Sequence, residues 1–457
     1  MTDPELLEMP APVSHERGPI PSVYSSGTSD APPSRIGRMA SHLQGSSILR
    51  IAGQVRALIA AGEPVVNLTV GDFSPAEFPV PAELVAFITE ALQSGETNYP
   101  PSVGVPQLRA AVARFYQDRL GLGFGDNGIL IAAGARPGIY AAYRVLVDPG
   151  DRVVFAVPSW NNMDYCHLVG AEPVTVPCDA RSDFLPTATA LAPALRGARM
   201  LVLNSPVNPT GSAFDAQSLG EICDVVLEEN ARREAAGARE RPLFVLYDQV
   251  YWMLTFGGTE HVHPIGVRPE MAPYTVYVDA ISKSFAATGV RVGWVAGPDD
   301  VMRAVGDVLG HSGAWAPRAE QIATARLLAD ATLIERYHTE MLRAIKVRLD
   351  RLHDGLSAMR DEGLPVEVAE PTATIYLSAR FALKGSRTPD GIVLRDDEAV
   401  RAYLLKRAGF AAVPFRAFGV TGETGWFRLS VGAVSVPQID AVMPRLREAI
   451  AELAPAG

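Results

Sequence analysis

The chain has 457 residues, 48% hydrophobic and 20% charged, which is enough apolar material for a sizeable core in one large or two to three ordinary domains. With 41 Lys and Arg against 51 Asp and Glu, its formal charge is −10, which argues against a nucleic-acid polymer or an anionic membrane surface as partner. No uncharged apolar run reaches about 18 residues; the longest candidate, 129–147, is interrupted by Arg136 and Arg144. The N-terminus lacks the basic and apolar regions of a signal peptide. Cys166, Cys178 and Cys223 form no C-x-x-C pair or other metal spacing, so a soluble cytoplasmic protein in a reducing compartment is expected.

In chain order, residues 1–33 hold seven prolines among Ser, Gly, Thr and Glu, too little apolar surface to offset ordering entropy, and read as a flexible or draped arm. The first helix is expected in SSILRIAGQVRALIAAGE, where Ile48, Ile51, Ala52, Val55, Leu58 and Ile59 fall on one face and Ser46 or Ser47 caps the start. GLGFGDNG at 121–128 follows a helical pattern rather than a strand, so it reads as a loop and not as a dinucleotide fingerprint. From about 129 to 300, seven apolar runs alternate with helical segments: ILIAAG, DRVVFAVP, EPVTVP, ARMLVLNSP, LFVLYDQ, YTVYVDAIS and RVGWVAG. Runs of this texture are strands buried on both faces and joined by helix crossovers, a doubly wound α/β sheet. His261-x-His263 has no third ligand at a metal spacing and reads as a surface loop. Beyond about 320, a long charged helical stretch leads into a smaller α+β segment containing VEVAEPTATIYLSARF and GWFRLSVGA.

Ligands in doubly wound sheets sit beyond the carboxyl ends of the strands, so the residues after each run carry the functional reading. In LIAAGARPGIY, a strand gives way to a helix, and the N–H groups of Gly134, Ala135 and Arg136 either form a tight turn or face an anion. VPSWNN puts Trp160 at a strand end, as a core residue or a face for a planar ring. NSPVNPTG turns at Asn208, and LYDQVYW leaves Asp248 at a buried strand end with Tyr251 three residues on. Such a carboxylate is costly unless paired with a cation or protonated heterocycle. In DAISKSFAATGVRVGW, Lys283 lies between Ser282 and Ser284, with Arg291 eight residues later. A strand-end lysine beside a positive neighbour can be neutral near physiological pH and attack an aldehyde.

These five motifs in this order resemble the fold-type-I pyridoxal-phosphate enzymes, specifically the class I/II aminotransferases related to aspartate aminotransferase, from about residue 45 to the end. The resemblance implies a large, mostly parallel seven-stranded doubly wound sheet domain with a smaller α+β C-terminal domain. The corresponding division is a Pro-rich arm over 1–44, a segment packing with the small domain over 45–74, a large cofactor-binding domain over 75–325, and a small domain over 326–457. It implies pyridoxal 5'-phosphate held by Lys283 as a Schiff base, Asp248 paired with the protonated ring nitrogen, Asn208 and Tyr251 bonded to the ring oxygen, and Trp160 stacked on the ring. Ala135, Arg136, Ser282 and Arg291 then cradle the phosphate. TNYPPSVGVPQL is similar to the segment that lends a tyrosine across a dimer interface, here Tyr99, so a homodimer with shared active sites is expected. NLTVGDFSP and WFRLSVGA match the segments whose Gly71 and Arg428 hold the substrate α-carboxylate, Arg428 by two parallel bonds.

By this resemblance, Asp248 deepens the electron sink, Lys283 moves the Cα proton, and the carboxylate clamp selects the C–H bond for cleavage. Three features depart from the family pattern. Where dicarboxylate-specific members carry an arginine before an Asn-Pro turn, DVLGHSGAWAPRAEQ has Gly310 and His311, with Arg318 beyond. Met163 replaces a common histidine, and GDFSP replaces the commoner Gly-Glu-Pro loop. The expected function is an amino-acid aminotransferase using a 2-oxo acid acceptor. The alternatives are elimination, replacement or C–C bond formation on an amino acid such as S-adenosylmethionine, and a regulatory ligand-binding protein.

Overall fold

The computed structural model describes residues 35–43, 45–237 and 240–455; the expected arm over 1–44 lies mostly outside them. The chain divides into Met1–Leu43 and Gln44–Gly457. The first contributes one short helix, α1 (Arg38–His42).

In the second unit, α2 (Ser47–Ala60) begins at Ser46, whose side chain accepts from the Leu49 N–H, satisfying one of the donors that a helix start leaves open. Ile48, Ile51, Ala52 and Val55 are buried as expected, whereas Leu58 is half-buried and Ile59 exposed. The apolar stripe therefore ends a turn early. Strand β1 (Val66–Asn67), α3 (Ala82–Gln93) and α4 (Pro106–Leu120) follow. Gly121 closes α4 in the left-handed conformation, and the glycine-rich stretch after it is a connecting loop.

The seven apolar runs form one sheet: β2 (Ile129–Ala132), β3 (Arg152–Val157), β4 (Glu172–Pro177), β5 (Ala198–Asn204), β6 (Phe244–Asp248), β7 (Thr275–Ala280) and β8 (Gly293–Ala296). The spatial order is β2-β8-β7-β6-β5-β3-β4, with only β8 antiparallel to its neighbours. Two apolar clusters cover the faces, one around Val245, Tyr247 and Trp294, the other around Phe155, Leu246 and Val278. β4 is the exception to burial on both faces. As the edge strand it pairs only with β3 and leaves Glu172, Pro173, Thr175 and Pro177 exposed.

The smaller sheet is antiparallel: β9 (Val366–Val368), β10 (Tyr376–Phe381), β12 (Val413–Pro414) and β13 (Trp426–Ser430), in the order β12-β13-β10-β9, while β11 (Phe410–Ala411) pairs in parallel with β1. The helix Ala331–Asp361 buries Ile345, Leu349, Leu352 and Leu356 against it. Hydrogen bonds stitch the two sheets together: Thr372 Oγ1 to the Gly211 carbonyl (3.1 Å) and Ser378 Oγ to the Thr210 carbonyl (2.9 Å). Gly211 has φ +82°, and a Cβ there would lie 2.6 Å from the Tyr376 carbonyl oxygen. Gly211→Ala is expected to destabilise the protein by about 1–3 kcal/mol, read as a lowered thermal unfolding midpoint.

Candidate active site

The carboxyl ends of β2, β5, β6 and β7 converge on a cavity of 360 Å³, which α2, residues 69–72 and the small sheet complete. A larger recess of 540 Å³ is lined by Asp183, Asp215, Glu260 and Glu370 and by no Lys or Arg. Only the smaller cavity gathers the chemistry the motifs pointed to.

After β2, Gly134 (φ +87°) turns the chain into the helix α5 (Ala135–Leu146), which has no side-chain cap. Its first N–H groups and the positive helix end therefore remain available to an anion. A Cβ on Gly134 would lie 2.3 Å from an Arg291 guanidinium nitrogen, so glycine is what lets Arg291 approach the helix start. Arg291, itself at φ +62°, donates to the carbonyls of Thr288 (2.6 Å) and Ala133 (2.9 Å). The Arg136 guanidinium stands 4.9 Å from the Trp160 ring centre.

On β5 and β6, Asn204 and Asp248 are register partners. The Asn204 amide donates to the Asp248 backbone carbonyl (2.8 Å) and accepts from the Asn208 N–H (2.8 Å), fixing the turn that carries Asn208. Desolvation pushes the Asp248 carboxyl up to about 6, against the Val250 N–H and the charge of Lys283. Lys283 sits on a single helical turn after β7 and donates to the Gly71 carbonyl at 2.5 Å. Desolvation brings its amine down to about 8; Arg428, Arg136 and Arg291 push the same way and Asp72 opposes them. Ser282, next to Lys283, is buried and lines the same cavity.

Arg428 is buried in β13. It donates to the Thr69 carbonyl (2.6 Å) and to Asn208 Oδ1 (3.1 Å), and its guanidinium lies 4.6 Å from the Tyr376 ring centre. Its Nε has no partner in the described structure, an orphan donor that costs about 1–3 kcal/mol unless a ligand satisfies it.

The cavity thus collects Gly71, Ala135, Arg136, Trp160, Asn208, Asp248, Tyr251, Ser282, Lys283, Arg291 and Arg428, with Gly134 directly behind Arg291. Tyr99 is not among them. It is 82% exposed and packs edge-to-face on Trp315, and the role expected of it acts across a dimer interface rather than within its own subunit.

Lining residues not singled out from sequence include Arg56, Asp72, Thr288 and Tyr376. Tyr376 Oη is 2.7 Å from Tyr251 Oη, and Thr288 Oγ1 donates to Asp72 Oδ1 (2.6 Å). The reading of His261 and His263 as a surface loop is corrected. His263 accepts from the Gly266 N–H (3.0 Å) and lies 3.0 Å from the Leu120 carbonyl, while His261 contacts Gln249 (3.2 Å). Burial lowers the proton affinity of both, His261 to about 3. They are neutral core histidines, and no group of three or more metal-ligating side chains occurs among the described residues.

The model of the family "Aminotransferase class I and II" matches residues 63–446. The chain is 30% identical over 406 residues to an aspartate aminotransferase of Rhizobium meliloti, covering 88% of this chain and 93% of that protein. It is 29% identical over 413 residues to a bifunctional aspartate aminotransferase and glutamate/aspartate-prephenate aminotransferase of Petunia hybrida, covering 90% and 81%. A crystal structure of the Rhizobium meliloti aspartate aminotransferase superposes with a TM-score of 0.83 at 28% identity over 92% of this chain and 100% of that one. The chain therefore belongs to the class I and II aminotransferase family, and it has that family's fold.

In ligand-free protein, labelling of Lys283 by an amine-reactive reagent is expected to be half-maximal near pH 8, below the roughly 10.4 of an ordinary lysine. The amine is protonated and unreactive below that point and neutral and nucleophilic above it. Asp72→Asn removes a charge that favours the protonated amine, so the midpoint moves further down; peptide mapping against pH reads both.

Proposed function

We propose that this protein transfers the amino group of an amino acid to a 2-oxo acid, using pyridoxal 5'-phosphate held at Lys283. The observation that carries the reading is a lysine amine with depressed basicity at a strand end, sharing one cavity with Asp248 and four arginines. The uncapped start of α5, with Arg136 and Arg291 beside it, suits a dianionic phosphate. Asp248, poorly solvated and lacking a strong cationic partner, suits a protonated pyridine nitrogen. The unpaired Nε of Arg428 suits a carboxylate.

When bound, the cofactor supplies an electron sink for the bond broken at the substrate Cα. The chain's own groups do the rest. Arg428 and Gly71 hold the α-carboxylate and so set which Cα bond is weakened. The Lys283 amine, neutral above about pH 8, takes the Cα proton and can return it to a neighbouring carbon. With the cofactor bound, Asp248 would keep its ring nitrogen protonated, Asn208 and Tyr251 would bond its ring oxygen, Trp160 would pack against the ring, and Ser282 would join the groups holding its phosphate.

Several wider features belong to the same reading: a homodimer in which Tyr99 completes the partner's phosphate site, a cytoplasmic location, and the division into domains at 75–325 and 326–457. The pairing of β1 with β11 supports grouping 45–74 with the small domain. No helix among the described residues is long and apolar enough to cross a membrane. Elimination or bond formation draws no support from relatives that are named aminotransferases.

Added pyridoxal phosphate is expected to give a visible absorption band that one amino acid bleaches and a 2-oxo acid restores. Lys283→Ala should abolish the band, and a wild-type protein that binds no chromophore overturns the proposal. Asp248→Asn should slow the half-reaction by at least about a hundredfold, the scale of losing one preorganised electrostatic group.

A further inference from the structure

One buried carboxyl has no part in the site described above. Asp279 is the next-to-last residue of β7, four residues before Lys283, and it does not line the cavity. Side chains alternate across a sheet. Asp279 therefore shares the face of Tyr277 and the cluster around Val245 and Trp294, whereas Asp248 shares the face of Leu246 and Val278. Asp248 is the register partner of Val278, so the two acids stand back to back at neighbouring strand ends.

Three donors converge on Asp279. The Ala280 N–H reaches one carboxyl oxygen (2.7 Å), while the Trp252 indole N–H (2.8 Å) and the Tyr116 hydroxyl (3.0 Å) reach the other. Tyr116 Oη in turn accepts from the Trp294 indole (2.8 Å) and the Gln249 amide (3.0 Å). All of these side chains are buried. Peptide and indole N–H groups only donate, and a carboxylate has the lone pairs to accept all three bonds at once. Burial pushes the Asp279 carboxyl up to about 8, with Asp248 adding to the rise and the three donors opposing it.

These bonds bear on the turn after β6. Residues 249–252 bring Tyr251 to the cavity and hold Asp248 through the Val250 N–H (3.1 Å). Gln249 and Trp252, the two residues of that turn that do not line the cavity, are the ones tied to Asp279, Trp252 directly and Gln249 through Tyr116. We infer that Asp279 is a positioning residue that holds the turn 249–252 from the closed face of the sheet, and so fixes Asp248 and Tyr251 relative to Lys283. The inference rests on the proposed function for what those three groups do, whereas the clamp itself belongs to the ligand-free chain.

The test uses Trp252→Phe and Tyr116→Phe, each of which removes hydrogen bonds of the clamp and keeps a ring in place, beside Asp279→Asn. Phe115→Leu serves for comparison, because Phe115 packs on Trp252 with ring centres 5.6 Å apart and its loss costs packing alone. In ligand-free protein, amide hydrogen exchange over 249–254 is expected to quicken by about tenfold to a hundredfold in Trp252→Phe, the range of one hydrogen bond to a charged group. Asp279→Asn should act at least as strongly, and Phe115→Leu much less. In protein loaded with pyridoxal phosphate, the two Phe variants should displace the visible band and lower kcat of the half-reaction with little change in KM, since Asp248 and Tyr251 act on the cofactor. Exchange as slow as in wild type in both Phe variants, or a Phe115→Leu protein that changes as much as they do, overturns the clamp even where Asp279→Asn does not fold. Faster exchange with band and kcat unmoved overturns the positioning role. A wild-type protein that takes up no pyridoxal phosphate overturns the cofactor reading instead, and exchange alone then decides for or against the clamp.

Discussion

Mutual repulsion among Lys283, Arg136, Arg291 and Arg428 is the constraint around which this molecule is organised. The three arginines each lower the proton affinity of the lysine, and Arg136 does the same to Arg291. Only two carboxylates, Asp72 and Asp248, share the space. Arg428 is buried, Lys283 and Arg291 are half-buried and Arg136 is exposed, and the inner members of such a cluster are unfavourable unless held by something other than a counter-ion. The fold supplies those holds: two backbone carbonyls for Arg291, the Thr69 carbonyl and the Tyr376 ring for Arg428, and the Trp160 face for Arg136. The excess positive charge then leaves the cavity complementary to anionic groups.

A parallel sheet is what lets residues so far apart in sequence meet there. Every parallel strand points its carboxyl end to the same edge, so the turns after β2, β5, β6 and β7 open into one space. The antiparallel strand β8 fits this plan because its amino end, rather than its carboxyl end, lies at that edge, with Arg291 just before it. The small sheet adds Arg428 and Tyr376 from two neighbouring strands, and residues 69–72 run between the two sheets. Ser430 Oγ bonds the Val70 carbonyl and the Arg428 guanidinium the Thr69 carbonyl, so the segment presenting Gly71 is fixed from the small-sheet side while Lys283 holds it from the other.

The motifs after the strands made Lys283, Asp248, Asn208, Arg291 and Trp160 legible in the sequence because strand ends are recognisable and the residue types there are unusual for a core. The seven apolar runs likewise map one to one onto the seven strands of the large sheet. Tyr376 was hidden because an aromatic in PTATIYLSARF looks like any core residue of a strand; only the sheet-to-sheet stitching turns its ring toward Arg428. Asp72 and Arg56 were not singled out, because whether a loop carboxylate or a helix guanidinium faces a cavity depends on what lies opposite. The two histidines were misjudged for the same reason. Their polar neighbours read as surface, yet Tyr277, Gln249 and the end of α4 enclose them from elsewhere in the chain. What sequence withholds is tertiary adjacency rather than chemistry.

Adjacency of this kind also explains where the backbone is strained. Thr374, a β-branched residue that is fully buried, sits at φ +66°, and Arg291 at φ +62°, conformations that cost a non-glycine residue about 1–3 kcal/mol each. Each flanks a group that touches the cavity. Thr374 donates its N–H to the Leu254 carbonyl (2.7 Å), and its hydroxyl accepts from the Tyr376 N–H (3.0 Å), so the turn is held from both sides and delivers the Tyr376 ring beneath Arg428. Arg291 is held by its own guanidinium bonds and by the absence of a side chain at Gly134. At these two positions, relaxing the strain would move a cation or its aromatic support. The large buried clusters on both sheets keep it there, because unwinding either turn would require giving up packing in a core that has no other way to close.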